Sequence, residues 1–151
     1  MPDLSIIVPI YNERENIPEL VLQVNDALND RFTYELVLVN DGSSDGSTEE
    51  LDRVAAEDKR IRVVHFRRNF GQTAAMMAGI HHATGDILVP MDGDLQNDPA
   101  DIPKLIDELN KGYDVVSGWR KDRQDNPIKR NLPSRIANSL ISKISGVHLN
   151  D

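Results

Sequence analysis

Residues 4–28 read LSIIVPIYNERENIPELVLQVNDAL, and this stretch holds one complete repeat unit of the fold. The run 4–10 is almost continuously apolar, as a parallel strand buried on both faces should be. After a polar turn, apolar residues fall at Ile17, Leu20, Val21, Val24, Ala27 and Leu28, the three-and-four spacing of an amphipathic helix. Asn16 and Pro18 supply the start signals. The alternation recurs: strands over 34–39, 61–66, 86–91 and 114–118, and helices over 48–58, 72–83 and 99–110. Four strand–helix units and a fifth strand define an α/β fold, a mostly parallel sheet with helices on both faces. Right-handed crossovers put every strand-to-helix loop at one carboxyl edge, where ligands of such sheets bind.

Composition narrows the function classes. The 151 residues carry 17 Lys and Arg against 25 Asp and Glu, a net charge of −8, so a phosphate-bearing ligand needs a local basic patch or a metal ion, and general nucleic-acid binding is disfavoured. With no cysteine there is no disulfide framework, thiolate metal site or Cys nucleophile. No apolar run reaches the ~18 residues of a membrane span, and the N-terminus leads directly into a strand, not into a signal peptide. The phosphate loop G-x-x-x-x-G-K-[ST] and the dinucleotide fingerprint G-x-G-x-x-G are both missing. His65, His81, His82 and His148 lack metal-ligand spacing, and the Met76-Met77 pair inside a helix reads as core.

Four loops converge on the carboxyl edge: Pro9 to Glu13, Asn40 to Ser47, Arg67 to Gly71, and Asp92 to Gln96. Asp41, just past a buried strand, is placed to accept hydrogen bonds from a base or ribose, and Gly42 lets backbone approach a flat ligand. Turn and helix-cap chemistry accounts for the same Asp-Gly-Ser string equally well. Asp41, Ser43, Asp45, Gly46 and Asp52 also fall at positions 1, 3, 5, 6 and 12 of a calcium-binding EF-hand loop. The short β-branched run over 34–39 cannot be the helix that motif requires, so that reading is rejected. Asp92 and Asp94 flank Gly93 after a strand that supplies no counter-charge, which calls for a hard divalent cation, Mg²⁺ or Mn²⁺, shared with a diphosphate. Gln96 adds a carbonyl oxygen or orients a bound water. A solvated acidic turn capping the next helix is the competing explanation.

Taken in order, these loops resemble the family 2 glycosyltransferases, whose nucleotide-sugar domain has the Rossmann-like fold called GT-A. P-x-Y-N-E is Pro9 to Glu13, D-G-S-x-D is Asp41 to Asp45, R-N-x-G is Arg68 to Gly71 and D-x-D is Asp92 to Asp94. The extension Leu95-Gln96-Asn97-Asp98-Pro99, Ser117-Gly118-Trp119-Arg120, and later Arg135 and Ser139 are similar to the branch that loads sugars onto polyprenyl phosphates, such as dolichol-phosphate mannose synthase and bactoprenol glucosyltransferase. The resemblance implies that Pro9, Tyr11, Glu13 and Asp41 hold base and ribose, with Asn12 and Ser43 from the same motifs. It further implies that Arg68, Asn69 and Gly71 shape the floor of the nucleotide site, and that Asp92, Asp94 and Gln96 hold the metal. Asn40 departs from the pattern, standing where many members have the first of two Asp residues. Asp151 aligns with the family's base carboxylate.

The implied chemistry is a single inverting displacement at the anomeric carbon, transferring a hexose from a nucleoside-diphosphate sugar to a polyprenyl phosphate, with UDP-glucose favoured and GDP-mannose second. Asp92 and Asp94 act through the metal, and Asp151 positions the acceptor. The core is read as residues 1–120, followed over 121–151 by a basic amphipathic segment that meets acceptor and membrane surface. Within it, Arg135 is assigned to the acceptor phosphate, while Arg120 reaches donor or acceptor phosphates. Members of the branch continue into transmembrane helices, so the chain reads as a catalytic portion at the cytoplasmic face of a membrane. The partner set can include a second copy in a homo-oligomer. Two alternatives stand beside this reading: a sugar nucleotidyltransferase, and a non-catalytic Mg²⁺-binding phospho-acceptor module.

Overall fold

The computed structural model describes residues 1–118. The chain divides into two compact units, Met1–Asp107 and Glu108–Asp151. The first is a four-stranded parallel sheet, β1 (Leu4–Ile10), β2 (Tyr34–Asn40), β3 (Ile61–His65) and β4 (Ile87–Pro90), in the order β3-β2-β1-β4. Helices α1 (Ile17–Leu28), α2 (Ser47–Glu57) and α3 (Gln72–His82) connect the strands, and a 3₁₀ turn (Pro99–Asp101) leads into α4 (Ile102–Leu109).

Side-chain alternation along β1 and β2 explains why helices cover both faces. Ile6, Val8, Leu36 and Leu38 point into one cluster with Leu20 and Val24 of α1, Leu51 and Val54 of α2, and Ile102 and Ile106 of α4. Ile7, Val37 and Val39 point the other way, against Ala75 of α3. Buried on both sides, these strands have no polar period, which is why continuous apolar runs announce them.

Three expectations change. The segment 114–118 is not a strand: two apolar residues between Asp114 and Ser117-Gly118 offer no sustained strand surface, and Val115 is 82% exposed. The helix over 99–110 begins as a 3₁₀ turn, where Asp98 caps by accepting the Ala100 amide at 2.9 Å. Of the Met pair, Met76 packs against the core while Met77 is exposed.

The amino edge of the sheet is closed by a buried carboxylate. Glu35, near the start of β2, accepts from the Ser5 hydroxyl (2.6 Å), from the Thr84 amide (2.5 Å) and hydroxyl (2.9 Å), and from Arg62 (3.1 Å). Burial alone would raise its pKa, but these donors outweigh it and hold it at about 2.

Candidate functional site

Chain order reverses between β1 and β4: the chain runs outward from β1 through β2 to β3, then crosses back to β1's other side. Loops leaving β1 and β4 therefore part there and open a crevice at the carboxyl edge. A pocket of about 360 Å³ occupies it, lined by Pro9, Ile10, Tyr11 and Glu13 from the first loop, Asp41 from the second, Asn69, Gly71 and Gln72 from the third, and Asp92, Gly93 and Asp94 from the fourth.

A clasp of hydrogen bonds builds the first two loops into one wall. The Asn12 amide donates to Ser43 Oγ (3.0 Å), Asn12 Oδ1 accepts from the Ser44 amide (2.9 Å), the Glu13 amide donates to Ser47 Oγ (3.2 Å), and the Arg14 amide donates to Asp45 Oδ2 (3.1 Å). Asp45 Oδ1 also accepts the Ser47 amide and hydroxyl, so it is a second Asp-Gly-Ser string, Asp45 to Ser47, that secures the start of α2. Asn12 and Ser43 are thus loop-to-loop contacts, and neither lines the pocket.

Asp41 is 2% exposed, and both its oxygens are engaged by backbone: Oδ1 accepts the Phe70 amide (2.7 Å) and Oδ2 the Gly71 amide (2.9 Å). Its neighbour Gly42 sits at φ +68°, and a Cβ there would lie 2.3 Å from the Arg68 carbonyl carbon. The second and third loops are thereby locked together, with glycine required by both sterics and backbone angle. Arg68 lies over the Phe70 ring, 4.8 Å from its centroid, and is not among the lining residues, whereas Asn69 and Gly71 are.

Asn40, the departure from the family pattern, is 2% exposed and turned away from the pocket. Its amide nitrogen approaches Thr48 Oγ1 (2.8 Å) and His65 Nδ1 (3.1 Å), and its Oδ1 accepts the Ser43 amide (2.9 Å). His65 Nε2 faces Asp52 Oδ1 at 3.1 Å, an acceptor, so in the neutral ring the proton sits on Nε2 and Nδ1 takes a donor. An amide supplies that donor and an ionised carboxylate does not.

In the fourth loop, Asp92 Oδ1 accepts from Gln72 Nε2 (2.7 Å), and Asp94 Oδ1 accepts the Gln96 amide (3.1 Å). Gly93 lies close to the Ile10 side chain, where an added Cβ would come within 2.7 Å of Ile10 Cδ1 and require that side chain to shift. Gln96 itself does not line the pocket, and Gln72, which sequence reasoning passed over, does. Arg120, Arg135, Ser139 and Asp151 lie outside the described residues.

The donor set suits a hard cation. Glu13, Asp41, Asp92 and Asp94 line the pocket with no Lys or Arg among the lining residues. Among the described residues neither Asp92 nor Asp94 makes an ion pair, each keeps one oxygen without a protein partner, and no cluster of three or more acidic, His or Cys groups completes a metal cage. Two carboxylates with open positions fit Mg²⁺ or Mn²⁺ bound together with phosphate oxygens.

A parallel sheet with its pocket at the chain reversal defines a doubly wound α/β domain, the class whose ligands bind in that crevice. The chain belongs to glycosyl transferase family 2, whose family model matches residues 5–150, and it carries that family's glycosyltransferase domain. It is 46% identical over 152 aligned residues to a dodecaprenyl-phosphate galacturonate synthase of Rhizobium johnstonii, an alignment covering 99% of this chain and 45% of that protein. It is 42% identical over 150 residues to an undecaprenyl-phosphate 4-deoxy-4-formamido-L-arabinose transferase of Pseudomonas fluorescens, covering 98% and 44%. The chain thus spans less than half the length of these relatives. Among solved structures, the mannosyltransferase PcManGT of Pyrobaculum calidifontis in complex with GDP-Man and Mn²⁺ is similar, with a TM-score of 0.56 and 30% identity over 62% of this chain and 28% of that one. The likeness supports the GT-A architecture read from the loops.

Proposed function

We propose that this chain is the donor-binding portion of a metal-dependent, inverting glycosyltransferase that moves a sugar from a nucleoside diphosphate to a polyprenyl phosphate at the cytoplasmic face of a membrane. The observation that carries the reading is the pocket itself: four carboxylates and no cation lining it, at the carboxyl edge of a parallel sheet. A nucleoside diphosphate is itself anionic, so it can enter such a pocket only with a divalent cation that offsets the repulsion. The relatives' names supply the acceptor class, a prenyl phosphate, and the Mn²⁺ and GDP-Man complex of the similar structure supports the donor class.

Asp92 and Asp94 would hold the metal, with Gln96 as a further oxygen donor or water-orienting group. When bound, the metal stabilises the charge that develops on the departing diphosphate. Tyr11, Glu13, Asn69 and Gly71 would meet the nucleoside, with Pro9 and Ile10 adding apolar lining. One in-line displacement inverts the anomeric centre. A phosphate monoester acceptor, with its second pKa near ~6, is already largely a dianion at neutral pH and needs orientation more than deprotonation. That places a modest demand on Asp151, and assigns Arg120, Arg135 and Ser139 to phosphate and acceptor contacts.

Titration calorimetry with UDP-glucose, UDP-galacturonate and GDP-mannose, each with Mn²⁺ and again with EDTA, tests the proposal. At least one donor should bind with Mn²⁺ and lose most of its affinity in EDTA, and Asp94→Asn should abolish that difference. Equal affinity in both conditions for the donor that binds would refute the metal assignment.

A further inference from the structure

We infer that Gln72 is the positioning residue for Asp92: it fixes one carboxylate oxygen so that the other alone faces the cation, which makes the site select Mg²⁺ or Mn²⁺ over Ca²⁺. The inference rests on the metal reading given above and adds a residue and a selectivity rule to it.

Three observations carry it. Gln72 Nε2 donates to Asp92 Oδ1 at 2.7 Å, and both residues line the pocket. Among the described residues, this is the hydrogen bond that ties the third loop to the fourth. The backbone of Gln72 is anchored: it is the first residue of α3, and the preceding Gly71 amide is held by buried Asp41 at 2.9 Å. A chain of contacts therefore runs from the end of β2, through the third loop, to the carboxylate after β4.

The chemistry of the amide matters. A Lys or Arg here would pair with Asp92 and cancel the charge that attracts a cation, whereas an amide orients the carboxylate and leaves its charge intact. With one lone pair of Oδ1 engaged by Gln72, Oδ2 is the oxygen Asp92 holds without a protein partner, which favours one-oxygen ligation. Mg²⁺ and Mn²⁺ in octahedral sites accept such ligands at short distance, while Ca²⁺ favours six to eight oxygens and gains from two-oxygen carboxylates. Asp94 follows the same plan, because its Oδ1 already accepts the Gln96 amide. Both carboxylates thus present one free oxygen each.

Sequence gave little warning, since a Gln at the first turn of a helix reads as an ordinary helix former. The available signal was its position: a polar side chain directly after the loop glycine, on the edge where the acidic loop also ends.

The test measures Mn²⁺ and Ca²⁺ affinity in the presence of saturating UDP, and separately GDP, by Mn²⁺ electron paramagnetic resonance with Ca²⁺ competition. Gln72→Leu removes the donor at similar size, and because Gln72 is exposed its thermal midpoint should stay near that of the parent chain. It should weaken Mn²⁺ about 10-fold or more, the usual effect of losing a group that orients a metal ligand, and lower the Mn²⁺ to Ca²⁺ preference. Gln72→Lys, which keeps a donor but adds charge, should weaken both ions alike. In an Asp92→Asn background, Gln72→Leu should have no further effect. Unchanged Mn²⁺ affinity and selectivity in Gln72→Leu, with Asp94→Asn still defective, would overturn the inference and leave the metal reading standing. No Mn²⁺ binding by the parent chain with either nucleotide would overturn both.

Discussion

Asp41→Asn separates two roles for the most buried acid of the site. From the sequence, replacing Asp41 should weaken nucleoside binding and leave metal affinity unchanged, because its loop and the metal loop follow different strands. The geometry leads elsewhere. Both oxygens accept backbone amides, from Phe70 at 2.7 Å and Gly71 at 2.9 Å, in a setting with 2% exposure. Asn keeps one acceptor but turns an NH₂ toward the second amide, so one charge-assisted bond becomes neutral and the other becomes a donor facing a donor. Hydrogen bonds to charged groups contribute ~1.5–3 kcal/mol each, and a buried orphan donor costs ~1–3 kcal/mol. Relief of burying a carboxylate offsets part of this, leaving a loss of about 2–4 kcal/mol, or roughly 10 °C in the melting temperature of a domain this size. That is a large share of the ~5–15 kcal/mol that holds a domain folded, yet the variant should fold. Because Gly71 leads directly into Gln72, Mn²⁺ affinity should fall together with nucleotide affinity. Urea unfolding and calorimetry on the same preparation read both quantities. A variant with unchanged stability that loses only nucleotide affinity would refute this reasoning and make Asp41 a direct ligand of the nucleoside.

Two further outcomes are expected. Glu35 has its pKa lowered to about 2 from an ordinary 4.5, so the stability it contributes is fully present above about pH 4.5 and is lost as pH falls toward 2; the amount is up to ~3 kcal/mol, and the acid-side drop in urea midpoints should be smaller in Glu35→Gln, the remainder belonging to Asp45, Glu50 and Asp58, whose pKa values are lowered as well. Residues 128–145, outside the described part, carry Lys129, Arg130, Arg135 and Lys143 among Ile128, Leu132, Ile136, Leu140, Ile141 and Ile144; with each cation contributing ~1 kcal/mol near an anionic surface, the chain should co-sediment with anionic vesicles at low salt, less at high salt, and less again with Lys129→Ala and Arg130→Ala.

What the sequence made legible follows from where each signal resides. Strand β1 and helix α1 could be bounded to the residue because their burial is written into local spacing: seven consecutive strand positions of which six are fully shielded, then a helix whose buried residues are Ile17, Leu20, Val24 and Leu28. The segment 114–118 misled because a two-residue apolar run satisfies a strand pattern without providing a strand's surface. Gathering of the four loops was legible too, since it follows from chain direction alone. Their internal wiring was not. The partners of Asp41 are the amides of Phe70 and Gly71, and a backbone N–H carries no residue identity, so nothing at positions 70 or 71 announces that a carboxylate 30 residues earlier is bound there. Asn40 was visible as a departure but not as half of a pair, because His65 lies 25 residues away on a neighbouring strand.

That wiring also sharpens the argument for a cation. A count of acids in the pocket overstates its charge demand, because Asp41 already has both oxygens engaged by backbone amides. Asp92 and Asp94 differ from it. Each is held by one donor and left with one oxygen, a single buried glycine separates them, and Asp94 is exposed where Asp41 is not. Carboxylates with both oxygens bonded inward organise a fold; a pair fixed at one oxygen each and open at the other is arranged to receive a ligand. Such a pair repels itself until a cation arrives, so the stability it forgoes in the empty domain is regained when cation and diphosphate bind together.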